Sequence, residues 1–232
     1  MNVWPRAIIF DFDGVLVNSE PLHFYAFQDV LKAEGIPLTE AEYYQGLIGF
    51  DDRGAFKRIF EQHGRALDPK TFLRVMTRKK EVMLRQIQSR KYQALPGVEA
   101  FVRALWRNYP LAVCSGALRD EIELMLEGVS LRDCFRVIVS AEDVMIGKPD
   151  PQGYLLTLKE LSEKLKKTLK PADCLLIEDA PEPIRSARRA GFPTMAVATS
   201  YSVDKLKDAN WAVKSLEPDV VQKVLPGLHM TR

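Results

Sequence analysis

The run AIIFDFDG, Ala7 to Gly14, constrains this chain more than any other stretch. Four apolar residues with two isoleucines at their centre end in Asp11 and Asp13, and Gly14 follows. A short apolar run stopped by acids and a glycine reads as a strand buried on both faces, the habit of a parallel sheet. In an extended chain, side chains i and i+2 point the same way. Asp11 and Asp13 are therefore expected to converge at the strand's carboxyl end, where open α/β sheets bind ligands. Two carboxylates ~4 Å apart repel by about 4 kcal/mol at an effective dielectric of ~20. A cation between them is expected. The plainer alternative is a strand end followed by an Asx turn.

The pattern then changes. Leu22 to Glu34, Glu40 to Ile48, Asp51 to His63 and Pro69 to Arg90 each carry apolar residues at helical spacing, and the first three stop at Gly35, Gly49 and Gly64. Residues 18–91 thus read as an inserted block of four helices. From Leu95 the chain alternates. Strands are expected at Leu111–Cys114, Arg136–Val139, Cys174–Ile177 and Met195–Ala198. Helices are expected at Val98–Trp106, Asp120–Leu126, Gln152–Lys167 and Pro183–Ala190. Alternation of this kind predicts a Rossmann-like parallel sheet with helices on both faces. The expected division is a core of residues 1–17 and 92–232 and an inserted helical domain of 18–91. Residues 226–232 are expected to fray.

Composition excludes several classes. With 232 residues, 47% hydrophobic, the chain can bury a large core. Its net charge of +2 does not point to nucleic acid. Eight basic residues against the single acid Glu81 crowd Lys70 to Lys91. A solvated helix face explains them, or a positive surface that draws in anions. Few aromatics interleave with them, which argues against nucleic-acid binding. No apolar run reaches the ~18–20 residues of a membrane span, and Asp11 comes too early for a signal peptide. Cys114, Cys134 and Cys174 are scattered, as buried thiols in a reducing cytoplasm would be.

Polar groups recur where strands end. Asp11 and Asp13 close the first, Ser115 and Gly116 the second, Glu178 and Asp179 the fourth, and a loop after the third holds Gly147-Lys148-Pro149-Asp150-Pro151. In order, DFDG, VCSG, GKPDP and IEDA resemble the four motifs of the haloacid dehalogenase-like superfamily. The chain is similar to members with a helical cap inserted after the first motif, the phosphatases and β-phosphoglucomutase-like enzymes. The resemblance covers essentially the whole chain.

It implies a Mg²⁺-dependent hydrolase of a small phosphorylated metabolite, a sugar phosphate or phosphoglycolate-like compound, in the cytoplasm, as a monomer or dimer. Asp11 is then the nucleophile that forms an aspartyl-phosphate. Asp13 protonates the leaving oxygen and deprotonates the attacking water. Ser115, the Gly116 N–H and Lys148 hold phosphoryl oxygens. Asp11, Asp179 and the Asp13 carbonyl bind the metal, with Glu178 on it or just behind, an oxygen set that suits Mg²⁺. His23 matches a cap histidine of the phosphoglucomutases, although such a residue is commonly plain surface. The LIGFDD joint, with Gly49, matches the cap's substrate-specificity loop.

Departures stand beside these matches. Ala180 and Pro183 replace the serine and glycine usual after the last two acids. Ile48 and Asp52 occupy the places of the Lys and Arg of β-phosphoglucomutase, with Arg53 next in line, or Lys57 one turn on, as a substitute cation. The rival readings are a phosphomutase and a non-catalytic phospho-ligand-binding protein. Asp13 argues against dehalogenases and phosphonatases, which lack that acid.

Overall fold

The computed structural model describes residues 4–231. Ala7–Phe10 forms β1, and all four of its side chains are buried. Ile8 and Phe10 join one hydrophobic cluster while Ala7 and Ile9 join another. That is the period-2 alternation of a strand covered on both faces. Each such fully buried side chain contributes roughly 1.5–3 kcal/mol.

Five further strands follow: β2 (Leu111–Cys114), β3 (Phe135–Val139), β4 (Cys174–Glu178), β5 (Thr194–Val197) and β6 (Trp211–Val213). Every pairing is parallel, in the order β3-β2-β1-β4-β5-β6. The order reverses at β1, and a crevice opens beyond the carboxyl ends of strands at such a reversal. The core helices are α5 (Val98–Trp106), α6 (Arg119–Gly128), α7 (Gln152–Leu165), α8 (Pro181–Arg189) and α9 (Pro218–Val224).

Between β1 and α5 lie α1 (Glu20–Ala33), α2 (Glu40–Gly46), α3 (Asp52–Gln62) and α4 (Pro69–Gln88). Each start has a physical cause. Pro21 sits in the first turn of α1, Thr39 forms a capping box with Glu42, and Asp51 and Asp68 accept from the first amides of α3 and α4. The four helices form an inserted cap. The chain leaves and re-enters the core side by side, with Asn18 N–H donating to the Gln93 carbonyl at 3.0 Å and Val17 bridged to Ala94.

Two expectations need correction. The sheet has a sixth strand, β6, and a ninth helix, α9, which the periodicity did not indicate. Residues 226–231 do not fray. Leu228 is buried, His229 N–H donates to the Tyr109 hydroxyl at 2.9 Å, and Thr231 N–H donates to the Ala104 carbonyl at 3.1 Å. Asn108 also ties this tail, donating to the His229 carbonyl at 3.2 Å. Arg232 lies outside the described residues.

Candidate active site

The carboxyl ends of β1 and β4 stand side by side, so Asp11, Glu178 and Asp179 meet there by register. All three are buried, and carboxylate oxygens from each lie within 4.8 Å of one another. Lys148 reaches in from the loop before α7. Its ammonium donates to Asp11 Oδ1 at 2.5 Å and to Glu178 Oε1 at 2.7 Å, 5.1 Å from the centre of the Tyr154 ring. Tyr154 on α7 donates its hydroxyl to the same Glu178 oxygen at 2.7 Å. Glu178 Oε2 accepts from the Asp179 and Ala180 amides. Glu178 is thereby saturated with donors, whereas Asp11 Oδ2 has no hydrogen-bond partner among the described residues.

This packing of acids governs their protonation. Burial pushes the Asp11 carboxyl well above the usual range, Glu178 and Asp13 add to the rise, and Lys148 only partly offsets it. Burial does the same to Asp179, reinforced by Glu178 and Asp11. Burial alone would lower the Lys148 ammonium, but Asp11 and Glu178 override it and hold the lysine well above its ordinary value. A divalent cation at this oxygen cluster removes the conflict among the acids, so the residues fit a hard metal ion.

Asp13 behaves differently. Its carboxylate does not join the acidic cluster, which corrects the expectation of a cation between the Asp11 and Asp13 side chains. Asp13 Oδ1 accepts from the Ser19 hydroxyl and lies 3.2 Å from His23 Nε2, and Oδ2 accepts from the Ser115 hydroxyl at 3.2 Å. Burial would raise this carboxyl, but His23 and the two hydroxyls hold it at about 2. Ser115 is in turn fixed by the Ala117 amide at 2.9 Å, so its hydroxyl is committed to Asp13.

The cap closes the far side. Glu20, His23, Tyr43, Gly49 and Asp52 line a cavity of about 50 Å³ together with Asp11, Asp13, Gly116 and Lys148. Gly49 has a φ of +90°, and a side chain there would lie 3.0 Å from the Ala180 Cβ and 3.2 Å from Pro183. The two residues that depart from the family pattern therefore lie against the cap loop at Gly49. Asp51 lies over Gly116, 3.3 Å from where a Cβ would be.

Arg53 does not line this cavity. Its guanidinium donates to Asp51 at 2.7 Å and to the carbonyls of Ala141 and Val144 at 3.1 and 3.2 Å. It ties cap to core, and the expectation that it serves as a substrate cation is corrected.

Several residues here were not singled out by sequence. Ser200 follows β5 and donates to Asp179, and Thr199 donates to the Gly14 carbonyl. Glu20 accepts from the Tyr43 hydroxyl at 2.6 Å. Lys79 on α4 is fully buried and pairs with Asp52, although it lies in the basic stretch read as a solvated face. A signal for Lys79 existed: Val75, Lys79, Val82 and Met83 fall on one helical stripe, and all are buried.

Comparison with known proteins agrees with this geometry. The chain is 29% identical over 222 residues to a phosphorylated carbohydrates phosphatase of Thermotoga maritima, covering 95% of this chain and 98% of that protein. It is 28% identical over 194 residues to a fructose-1-phosphate phosphatase of Escherichia coli, covering 82% and 95%. Its fold matches the crystal structure of a β-phosphoglucomutase from Clostridium difficile with a TM-score of 0.80 at 23% identity, over 94% of this chain and 96% of that one. A family model described as haloacid dehalogenase-like hydrolase matches residues 8–197. With strand ends, acids and lysine in that arrangement, the chain belongs to the haloacid dehalogenase-like hydrolases.

Proposed function

We propose that this protein is a phosphatase that hydrolyses a small phosphate monoester through an aspartyl-phosphate on Asp11. The observation that carries the reading is the pairing of Asp11 with Lys148 at 2.5 Å, beside an Asp13 held by three side chains. Asp11 Oδ2 attacks phosphorus as the bond to the leaving oxygen breaks. The arriving phosphate dianion raises the proton affinity of Asp13, which takes up a proton from solvent and donates it to the leaving alkoxide, so that the bond to that oxygen breaks to give the free alcohol and the proton later taken from water returns to solvent. Water then attacks the aspartyl-phosphate, Asp13 takes its proton, and Asp11 and inorganic phosphate are freed. Lys148 and the Gly116 N–H balance the charge on the phosphoryl oxygens. Asp11, Asp179 and the Asp13 carbonyl are the proposed Mg²⁺ ligands, with Glu178 holding Lys148 and the metal loop in place. The metal supplies positive charge that lets two anions approach.

Residues 18–91 act as a lid that excludes water, and the adjoining crossings at Asn18 and Gln93 mark its hinge. Three buried, unpaired cysteines accord with a reducing cytoplasm. None of the described helices is long and apolar enough to cross a membrane. The proposed ligand is a small phosphorylated metabolite, of the sugar phosphate or phosphoglycolate kind that the relatives' names describe.

Two expectations test this. In the absence of metal, Asp11 and Asp179 are more basic in the folded state than the unfolded, so folding takes up protons. Stability without metal is then highest in acid and falls as pH rises from about 4 through the raised folded values. Mg²⁺ at roughly 100 times its Kd adds about 2.7 kcal/mol, or roughly 5–10 °C in Tm for a chain of this size. The increment is expected to be larger at pH 8 than at pH 5 in thermal melts, and equal increments argue against metal at these carboxylates.

The mutase rival is tested by product. A mutase must hold a phosphosugar in two orientations and grip a remote phosphate. Here Ile48 and Asp52 line the cavity and Arg53 is spent on core carbonyls. Released inorganic phosphate should therefore account for nearly all turnover. A coupled assay should detect no glucose 6-phosphate from β-glucose 1-phosphate, and isomerisation faster than phosphate release would reverse the assignment.

A further inference from the structure

The reaction above leaves one buried cation unused. Lys79 Nζ is fully enclosed, 2.6 Å from Asp52 Oδ1 and 3.0 Å from His23 Nδ1, and it faces the Phe27 ring at 4.6 Å. An ammonium has three N–H donors. Two are directed at Asp52 and His23, and the ring of Phe27 covers another side. Lys79 thus reaches the wall of the cavity without entering it.

Asp52 is what stands in front. It lines the cavity and commits Oδ1 to Lys79, while Oδ2 has no hydrogen-bond partner among the described residues. Glu20 of α1 also lines the cavity, with one carboxylate oxygen accepting from the Tyr43 hydroxyl. The cap side of the cavity therefore offers acceptors and negative charge. An anion arriving there meets like charge, whereas a hydroxyl or amine meets an unfilled acceptor.

We infer that Asp52 determines specificity by masking Lys79 and offering its second oxygen to a hydroxyl or amine, so that of the two kinds named above the sugar phosphate, with no second anion, is the substrate and the phosphoglycolate kind is rejected. The inference rests on the phosphatase reading and names its substrate class. A site built to bind a donor discriminates strongly against a ligand that lacks one, and repulsion adds to the rejection.

The test compares kcat/KM for three probes, each with Mg²⁺: fructose 1-phosphate, fructose 1,6-bisphosphate and p-nitrophenyl phosphate. Wild type should favour the monophosphate over the bisphosphate by roughly tenfold or more. Asp52→Asn keeps an acceptor for Lys79 but replaces the second, unpartnered oxygen with an amide donor. The preference for monophosphate over bisphosphate should then shrink by about tenfold or more. Asp52→Asn/Lys79→Met removes both charges, and the preference should shrink less, because no cation is released. Ratios within twofold of wild type in the single variant, or in the double variant should the single one not fold, overturn the inference. So does a wild type that hydrolyses both sugar phosphates equally well. A wild type inert towards all three probes overturns the phosphatase reading and the inference with it, whereas unmoved ratios in an active enzyme overturn the inference alone.

Discussion

Asp11→Asn is expected to lower turnover by roughly 10⁴-fold to 10⁶-fold, the loss typical of removing a nucleophile, while the variant melts above wild type when no divalent cation is present. The two effects share one cause. Asp11 is the carboxylate with a free oxygen at the end of β1, and the amide that replaces it cannot form an acyl phosphate. The same carboxylate is crowded by Glu178 and Asp179 in a buried site, where its charged form is disfavoured. Asparagine removes that charge and still accepts from Lys148. Phosphate release and thermal melts in chelator check both halves. Activity near wild type in a folded variant excludes covalent catalysis at Asp11.

Lys148→Met should also destroy activity, by roughly 10³-fold or more, yet with the opposite effect on stability. The ammonium is buried, and it joins Asp11 and Glu178 at 2.5 and 2.7 Å. Without it, two buried carboxylates lose their counter-charge, a change that costs about 3–5 kcal/mol. The Tm without metal should fall by roughly 10 °C. Lys148→Arg should restore little activity, because a planar fork does not fit where a compact point charge bridges Asp11, Glu178 and the Tyr154 ring. Equal melting of wild type and Lys148→Met would mean that the ion pairs contribute nothing to folding.

The fold was legible wherever burial left an unbroken apolar run. β1, β2 and α5 have the ends read from sequence, and the neighbouring elements shift by a few residues. β6 escaped because it has three residues and two of them are only half-buried, so no run forms. The docked tail escaped because its anchors are the Tyr109 hydroxyl and the Asn108 amide, which lie more than a hundred positions away in sequence. At the site, Asp11 and Asp179 stand where strand ends put them, and Lys148 reaches them from the loop before α7. Arg53 could not be placed that way. Its aim is fixed by Asp51 capping α3 and by two carbonyls of a loop from the other half of the molecule. Asp13 follows β1 as read, but its side chain is held by Ser19 and His23 as well as by Ser115, which spacing along the strand does not show.

The contact of Gly49 with Ala180 and Pro183 bears on how such enzymes can be recombined. The cap loop and the first turn of α8 form a matched seam across the boundary between the two halves. A chimera that takes residues 18–91 from a relative inherits that relative's loop but keeps this chain's alanine and proline. Where the relative has the family's usual serine and glycine at positions 180 and 183, those two residues should travel with the graft. The transferable unit is therefore discontinuous: the lid together with one helical turn almost ninety residues beyond it.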